Sequence, residues 1–306
     1  MLSSFFNKSK PINFIVIALY MFVLYTIAYF KRDPKLDYEM MIRFIGGFII
    51  SVFAMFVVNG ITQKNDLTQK STNTVLLYGF LTSIVSYALI NSTILVANAF
   101  IILAMRSVLD LKEGKDIKSH ILNASMYIGV ASLAYFWSIV FVVIVYLGVL
   151  FFGSKNYRNW LIPIIGILII YLLSNCFTLL FYDSFFRITD YIKPVSFSFD
   201  RYIDGSRIYS TGVLILCILF FFSLYIVKFS RKPAKSKPIL KIIVAQLLVA
   251  IIVVFIVPDK NTTEMIFIAS PLAIIGTTYL EMDHNIFVRE INLWVFLILP
   301  FITILF

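Results

Sequence analysis

Apolar residues fall into eleven blocks along the chain, at 12–30, 42–60, 75–90, 93–109, 119–135, 137–153, 160–181, 208–227, 239–257, 264–280 and 291–306. Short polar or charged stretches separate them. A helix needs about 20 predominantly apolar residues to cross a hydrocarbon core about 30 Å thick. The pattern therefore predicts an all-α fold, a polytopic transmembrane helical bundle of about eleven spans forming one domain over 1–306. No stretch between blocks is long enough for a soluble domain.

Two of these boundaries divide longer runs. The run "VLLYGFLTSIVSYALINSTILVANAFIILAMRSV", 75–108, carries no charge until Arg106. As one helix it would reach about 51 Å at 1.5 Å per residue, some 20 Å beyond the hydrocarbon core and more than ordinary tilt absorbs. Asn91, Ser92 and Thr93 are turn-forming residues in its middle, so the run is expected to fold back there. The run 121–152 meets the same objection, and its centre, "YFWS" at 135–138, has the aromatics of a membrane surface.

Charge tests both divisions. With the N-terminus in the cytoplasm and both hairpins formed, 17 of the 26 basic residues face the cytoplasm and 9 face outward. Treating both runs as single helices moves Arg106, Lys112, Lys115 and Lys118 outside and leaves 13 on each side. The excess of Lys and Arg in cytoplasmic loops favours the divided arrangement, which places the C-terminus in the periplasm. Nine acids fall outside and seven inside, so the net charge of +10 lies on the inner face. That face is suited to anionic membrane lipid, and no nucleic-acid partner is implied. Arg106, close to a helix end, reads as an anchor that snorkels to the phosphates.

Composition agrees, with 60% hydrophobic and 14% charged residues against roughly a quarter charged in soluble domains. The first block follows Lys8 and Lys10, lacks a small-residue cleavage site, and is expected to be retained as a helix. Cys176 and Cys217 sit in apolar runs without a CxxC partner and read as small core residues. His120 and His284 have no ligand set around them, so no metal and no cofactor is implied. Polar residues deep in the blocks are Asn13, Asn98, Asn123, Asn175, Gln246 and Asn292, with no ionisable residue at a block midpoint. That argues against a proton-coupled pump and leaves a passive or sodium-linked carrier open. Gly46-Gly47, and Gly129 near Ser132, read as sites of close helix packing.

Candidate chemistry lies in the outer loops. In "KRDPKLDYEM", Asp33, Asp37 and Glu39 precede Arg43, and a carboxylate there could serve as a general base. The same acids are balanced by Lys31, Arg32, Lys35 and Arg43, which also describes a charge-neutral surface loop. The longest outer segment, "YDSFFRITDYIKPVSFSFDRYIDGSR" at 182–207, interleaves aromatics with Asp183, Arg187, Asp200 and Arg201. Two readings stand, a substrate-binding lid around a polar headgroup and a connector anchored in the interface by its aromatics.

The phrases "FFNKSKPINF", "NASMYIGVASLAYFWSIVFVV", "NYRNWLIPIIG" and "SPLAIIGTTYLE" resemble a family of Bacteroidetes integral membrane proteins, common in flavobacteria, that carries a domain-of-unknown-function label. The resemblance implies a bacterial inner membrane and carries over no catalytic residue. The stretch from "AMRSVLDLKEGKDIKSH" through "AYFWSIVFVV" also resembles the membrane core of polyprenyl-phosphate-sugar glycosyltransferases. Those enzymes bear a catalytic acid on a sizeable first outer loop, whereas the loop here spans about eleven residues. The expectation is an inner-membrane protein of envelope biogenesis with a glycosyltransferase-like helical core, handling a polyprenyl-linked glycan. Asp33, Asp37 or Glu39 would be the base, and Arg43, Asp183, Arg187, Asp200 and Arg201 the substrate contacts. The alternatives are a non-enzymatic assembly subunit with an envelope protein partner, and a small-molecule transporter.

Overall fold

The computed structural model of the chain describes residues 5–6, 9–32, 38–68, 71–154, 156–192, 194–203, 205, 207–229, 236–258, 260–282 and 286–305. Regular structure among them is entirely helical. The chain begins with α1 (Pro11–Arg32) and α2 (Tyr38–Lys64), followed by α3 (Asn73–Ile84) and the single turn α4 (Ser86–Ile90). Next come α5 (Ser92–Asp110), α6 (Ile117–Ala134), α7 (Val142–Gly148) and α8 (Arg158–Tyr182). The short α9 (Asp200–Ile203) leads to α10 (Arg207–Phe229), α11 (Lys237–Ile256), α12 (Ile266–Leu280) and α13 (Ile286–Leu305). Eight of the described helical segments are long and apolar enough to cross a membrane. The helices Asn73–Ile84 and Glu290–Leu305 are apolar but shorter.

Both long runs are broken. At Asn91 the backbone turns to an extended conformation, φ −93° and ψ 93°. Its Oδ1 accepts from Thr93 Oγ1 at 2.6 Å and, at 3.4 Å, from the amide of Ile94, capping α5. The chain then returns on itself, because Asn98 Nδ2 donates to the Tyr78 hydroxyl at 3.3 Å. In a continuous helix those residues would stand about 30 Å apart. The second run breaks at Tyr135, φ −147° and ψ 105°. Beyond it, a 3-10 stretch (Phe136–Phe141), α7 and a π turn (Val149–Gly153) carry the chain back. Gly153 thereby lies against Ile117 and Ile121, at the start of α6.

The 75–90 block departs from a simple helix. Val85, with ψ 61°, separates α3 from α4. Every residue of α3 is buried, and nearly every residue of α12, against which it packs. These two helices form the centre of the molecule. Around them stand α1, α2, α5, α10, α11 and α13.

Small residues set the closest approaches. A methyl on Gly166 of α8 would fall 2.1 Å from Ser125 Oγ of α6, and one on Gly129 would fall 3.0 Å from Ile170. A methyl on Gly47 would fall 2.2 Å from the Tyr25 hydroxyl, whereas Gly46 faces open space. The pairs 125–166 and 129–170 advance in the same direction, so α6 and α8 run parallel, as a hairpin between them requires. Cys217 is buried, but Cys176 is exposed on α8, in contrast to the expectation of a core residue.

Contacts group the helix ends into two sets. At the first end the Thr72 amide donates to the Phe6 carbonyl, and Lys64 pairs with Asp110 at 2.8 Å and Glu113 at 3.0 Å. Ser71 Oγ there donates to Glu281 at 2.8 Å. At the second end Lys31 Nζ donates to the carbonyls of Ile304 and Leu305, at 2.9 and 2.6 Å. Arg207 there stacks 4.7 Å from the centre of the Tyr87 ring.

Candidate functional site

The second end contains a buried polar cluster. The loop leading into α12, "PDKNTTE" at 258–264, brings in Lys260, 2% exposed, and Glu264, fully buried. A buried ammonium is tolerated only when its protons are bound. Lys260 meets that condition with three carbonyl acceptors, those of Ser196, Phe255 at 3.0 Å and Val257 at 2.8 Å. Its charge also lies 4.9 Å from the centre of the Phe199 ring. Burial pushes the Lys260 pKa below its ordinary value, and the neighbouring Glu264 charge pushes it back upward.

Glu264 accepts from the Tyr202 hydroxyl and, at 3.2 Å, from Thr263 Oγ1. The Tyr202 oxygen also lies 3.2 Å from the Val254 carbonyl. Burial, followed by the Glu264 charge and the bond to it, raises the Tyr202 pKa. With their hydrogen-bonding capacity taken up inside the protein, Lys260 and Glu264 act as a clamp. They fasten the end of the 182–207 segment onto the loop between α11 and α12.

That fastening places a roof over an apolar groove. Consecutive helices α10 and α11 both pack on α12 rather than on each other, leaving a furrow between them. Beneath Phe199, Tyr202 and Ile203 the furrow opens to about 560 Å³, walled by Leu214, Ile218, Ile251 and Phe255 among others. Farther from the roof it continues as about 310 Å³ between Phe222, Tyr225 and Ile226 on α10 and Lys241, Val244 and Leu248 on α11. From Thr211 to Ile226 it extends about 22 Å along α10, most of the thickness of a bilayer core.

The sequence-based candidates are dispersed. Asp33 and Asp37 lie outside the described residues. Glu39 is exposed and bonds Arg43 at 3.1 Å across one turn of α2. Asp183, Arg187 and Asp200 are exposed along the 182–207 segment, with Asp183 in a left-handed conformation that ends α8. Arg201 reaches the clamp loop, donating to Asn261 at 3.1 Å. Of these residues, Arg201 is the one that joins the cluster.

In the sequence Lys260 and Glu264 are two of the charges between and at the edge of apolar blocks. The available signal was a carboxylate opening an otherwise apolar block, with a tyrosine-rich segment that must cross the same surface. Asn98, Gln246 and Asn292 tie one helix to another, whereas Asn123 is exposed and Asn175 bonds the Tyr171 carbonyl of its own helix. Asn13 bonds the Phe5 carbonyl at 2.8 Å, Gln246 bonds Ser270 at 3.4 Å, and Asn292 bonds Tyr279 at 2.6 Å. The void beside Gln246 holds about 10 Å³, no more than one water.

A core of apolar helices tied by buried amides, with a lipid-facing furrow, has the lengths and composition of a multi-pass helical membrane protein. The chain belongs to the family of unknown function DUF6427, whose model matches residues 5–305. No curated protein and no solved structure matches it.

Proposed function

We propose that this protein is an eleven-pass component of a bacterial inner membrane that receives a long-chain amphiphile at its periplasmic end, in the service of envelope biogenesis. The observation that carries this reading is the roofed apolar furrow between α10 and α11. Its walls suit a polyprenyl or acyl chain. Its mouth lies under the segment bearing Arg201 and Asp200, where a glycan or phosphate headgroup would emerge. The first end, rich in Lys and Arg, is the cytoplasmic one, which puts the N-terminus inside and the C-terminus in the periplasm. Where the amphiphile is a lipid-linked glycan, Asp33, Asp37 and Glu39 are the carboxylates for a transfer step.

A benzophenone-bearing polyprenyl phosphate, photolysed with the purified protein in nanodiscs, tests the reading. The expected product is crosslinked peptide from 211–219 and 251–255, displaced by unlabelled polyprenyl phosphate and lost in Ile218→Trp. Labelling spread evenly over the outer faces of α1, α8 and α13, unaffected by competitor, rejects it. Replacing Asp33, Asp37 and Glu39 together by Ala separates binding from transfer. Unchanged glycan profiles in that variant remove the catalytic role of the three acids.

A further inference from the structure

We propose that the cytoplasmic end of the protein holds a structural phospholipid, seated where the α10–α11 furrow approaches a second cleft with one charged wall. That cleft, about 660 Å³, lies between the loop before α6 and the π turn before α8. It is lined by Asp116, Lys118, Ser119 and Asn156 on its polar side and by Phe151 and Phe152 on its apolar side. One contact links the two, because Lys241, which lines the furrow, places its ammonium 5.9 Å from the centre of the ring of Phe151, which lines the cleft. A cleft with charged and polar side chains on one wall, an apolar furrow and a cation between them match the headgroup, the chains and the phosphate of a glycerophospholipid.

The charges specify the headgroup. Lys241 and Lys118 are exposed, and neither pairs with a carboxylate among the described residues. The amino end of α6 opens on the same cleft, adding the partial positive charge of its free amides. On the opposite side, Asn159 is 5% exposed and spends its Nδ2 on the Gly153 carbonyl at 2.8 Å, leaving Oδ1 without a partner. Asp116 adds a second acceptor. The arrangement calls for a phosphodiester beside the lysines and a hydrogen-bond donor beyond it. Phosphatidylethanolamine and phosphatidylglycerol carry both, and phosphatidylcholine carries the phosphodiester without the donor. The proposal takes its orientation from the reading above but not its ligand, since the two use opposite halves of the furrow.

Native mass spectrometry of the purified protein with an equimolar mixture of the three dioleoyl lipids tests it. Retention of ethanolamine and glycerol lipid over choline lipid is expected. Lys241→Gln and Lys118→Gln should each lower the affinity for bound lipid about fivefold, the loss of one juxtamembrane cation. Lys241→Arg should preserve it, and Ala245→Phe, which fills the furrow, should remove the bound lipid. Equal retention of the three lipids, or unchanged lipid occupancy in Lys118→Gln, overturns the proposal and leaves annular lipid only. Lys118 lies on an exposed turn, so its variant remains informative if Lys241→Gln fails to fold. None of these substitutions touches 211–219, so photolabelling of the periplasmic half can succeed or fail separately.

Discussion

The hydroxyl of Tyr202 donates to the carboxylate of Glu264 across 62 residues of chain, and this bond holds the roof over the furrow. Glu264→Ala leaves the Thr263 hydroxyl without its acceptor and the Tyr202 hydroxyl with the Val254 carbonyl alone. An unsatisfied buried group costs about 1–3 kcal/mol, so a drop in thermal stability of that order is expected. Tyr202→Phe removes one donor while Thr263 remains, and its cost should be smaller. Limited proteolysis within 196–203 should accelerate in both variants, since that segment is fastened by this bond and by Lys260. Unchanged cleavage would mean that the segment is held elsewhere.

The same phenol gives an alkaline limit. Its pKa is raised in the folded protein, so the native state holds the Tyr202 proton more tightly than the unfolded chain does. The stabilisation is complete below the unfolded value, about 10, and is lost as pH rises above it. Melting curves of wild type and Tyr202→Phe should therefore differ by a constant amount from pH 7 to 9 and converge at higher pH. Parallel curves throughout would place the titration on other tyrosines.

The Tyr78–Asn98 bond predicts that Asn91 lies at a membrane surface. In a cysteine-free background, Asn91→Cys should react in intact cells with an impermeant maleimide, whereas Lys115→Cys should not. Ser138, at the other break, is fully buried and would stay unlabelled for reasons of packing alone. The reverse labelling pattern would invert the proposed orientation.

Block lengths and turn residues made the helices legible, because a chain confined to about 30 Å must reverse where amides or interfacial aromatics allow it. Asn91 and Tyr135 are such places. The kink at Val85, among the hydroxyls of Thr82, Ser83 and Ser86, and the π turn at Val149–Gly153 lie inside uncharged blocks, where composition carries no clear mark of a backbone change. The clamp was hidden for a different reason. Lys260 and Glu264 look like solvated loop charges until residues some 60 positions away fold over them. Loop position gave a reason to consider Glu39 and Arg43, yet they face outward and bond each other.

Gly166 offers a test of how α8 is attached. This helix packs chiefly on α6, through Gly166 against Ser125 and Ile170 against Gly129, with a 2.9 Å bond between Ser132 and Tyr171 hydroxyls. Any side chain at 166 would meet Ser125 Oγ and the Leu122 carbonyl, so the helices must separate. Between apolar helices in lipid, close packing rather than the hydrophobic effect holds the pair together. Gly166→Leu should cost about 1–3 kcal/mol, the usual penalty of overpacking, and weaken the Ser132–Tyr171 bond with it. Gly46→Leu, in open space on α2, should leave stability nearly unchanged and serves as the control. A crosslink between Ser132→Cys and Tyr171→Cys by a short bifunctional thiol reagent reports the same contact, forming readily in the parent and poorly with leucine at 166. Equal crosslinking in both backgrounds would show that α8 is held by something other than this seam.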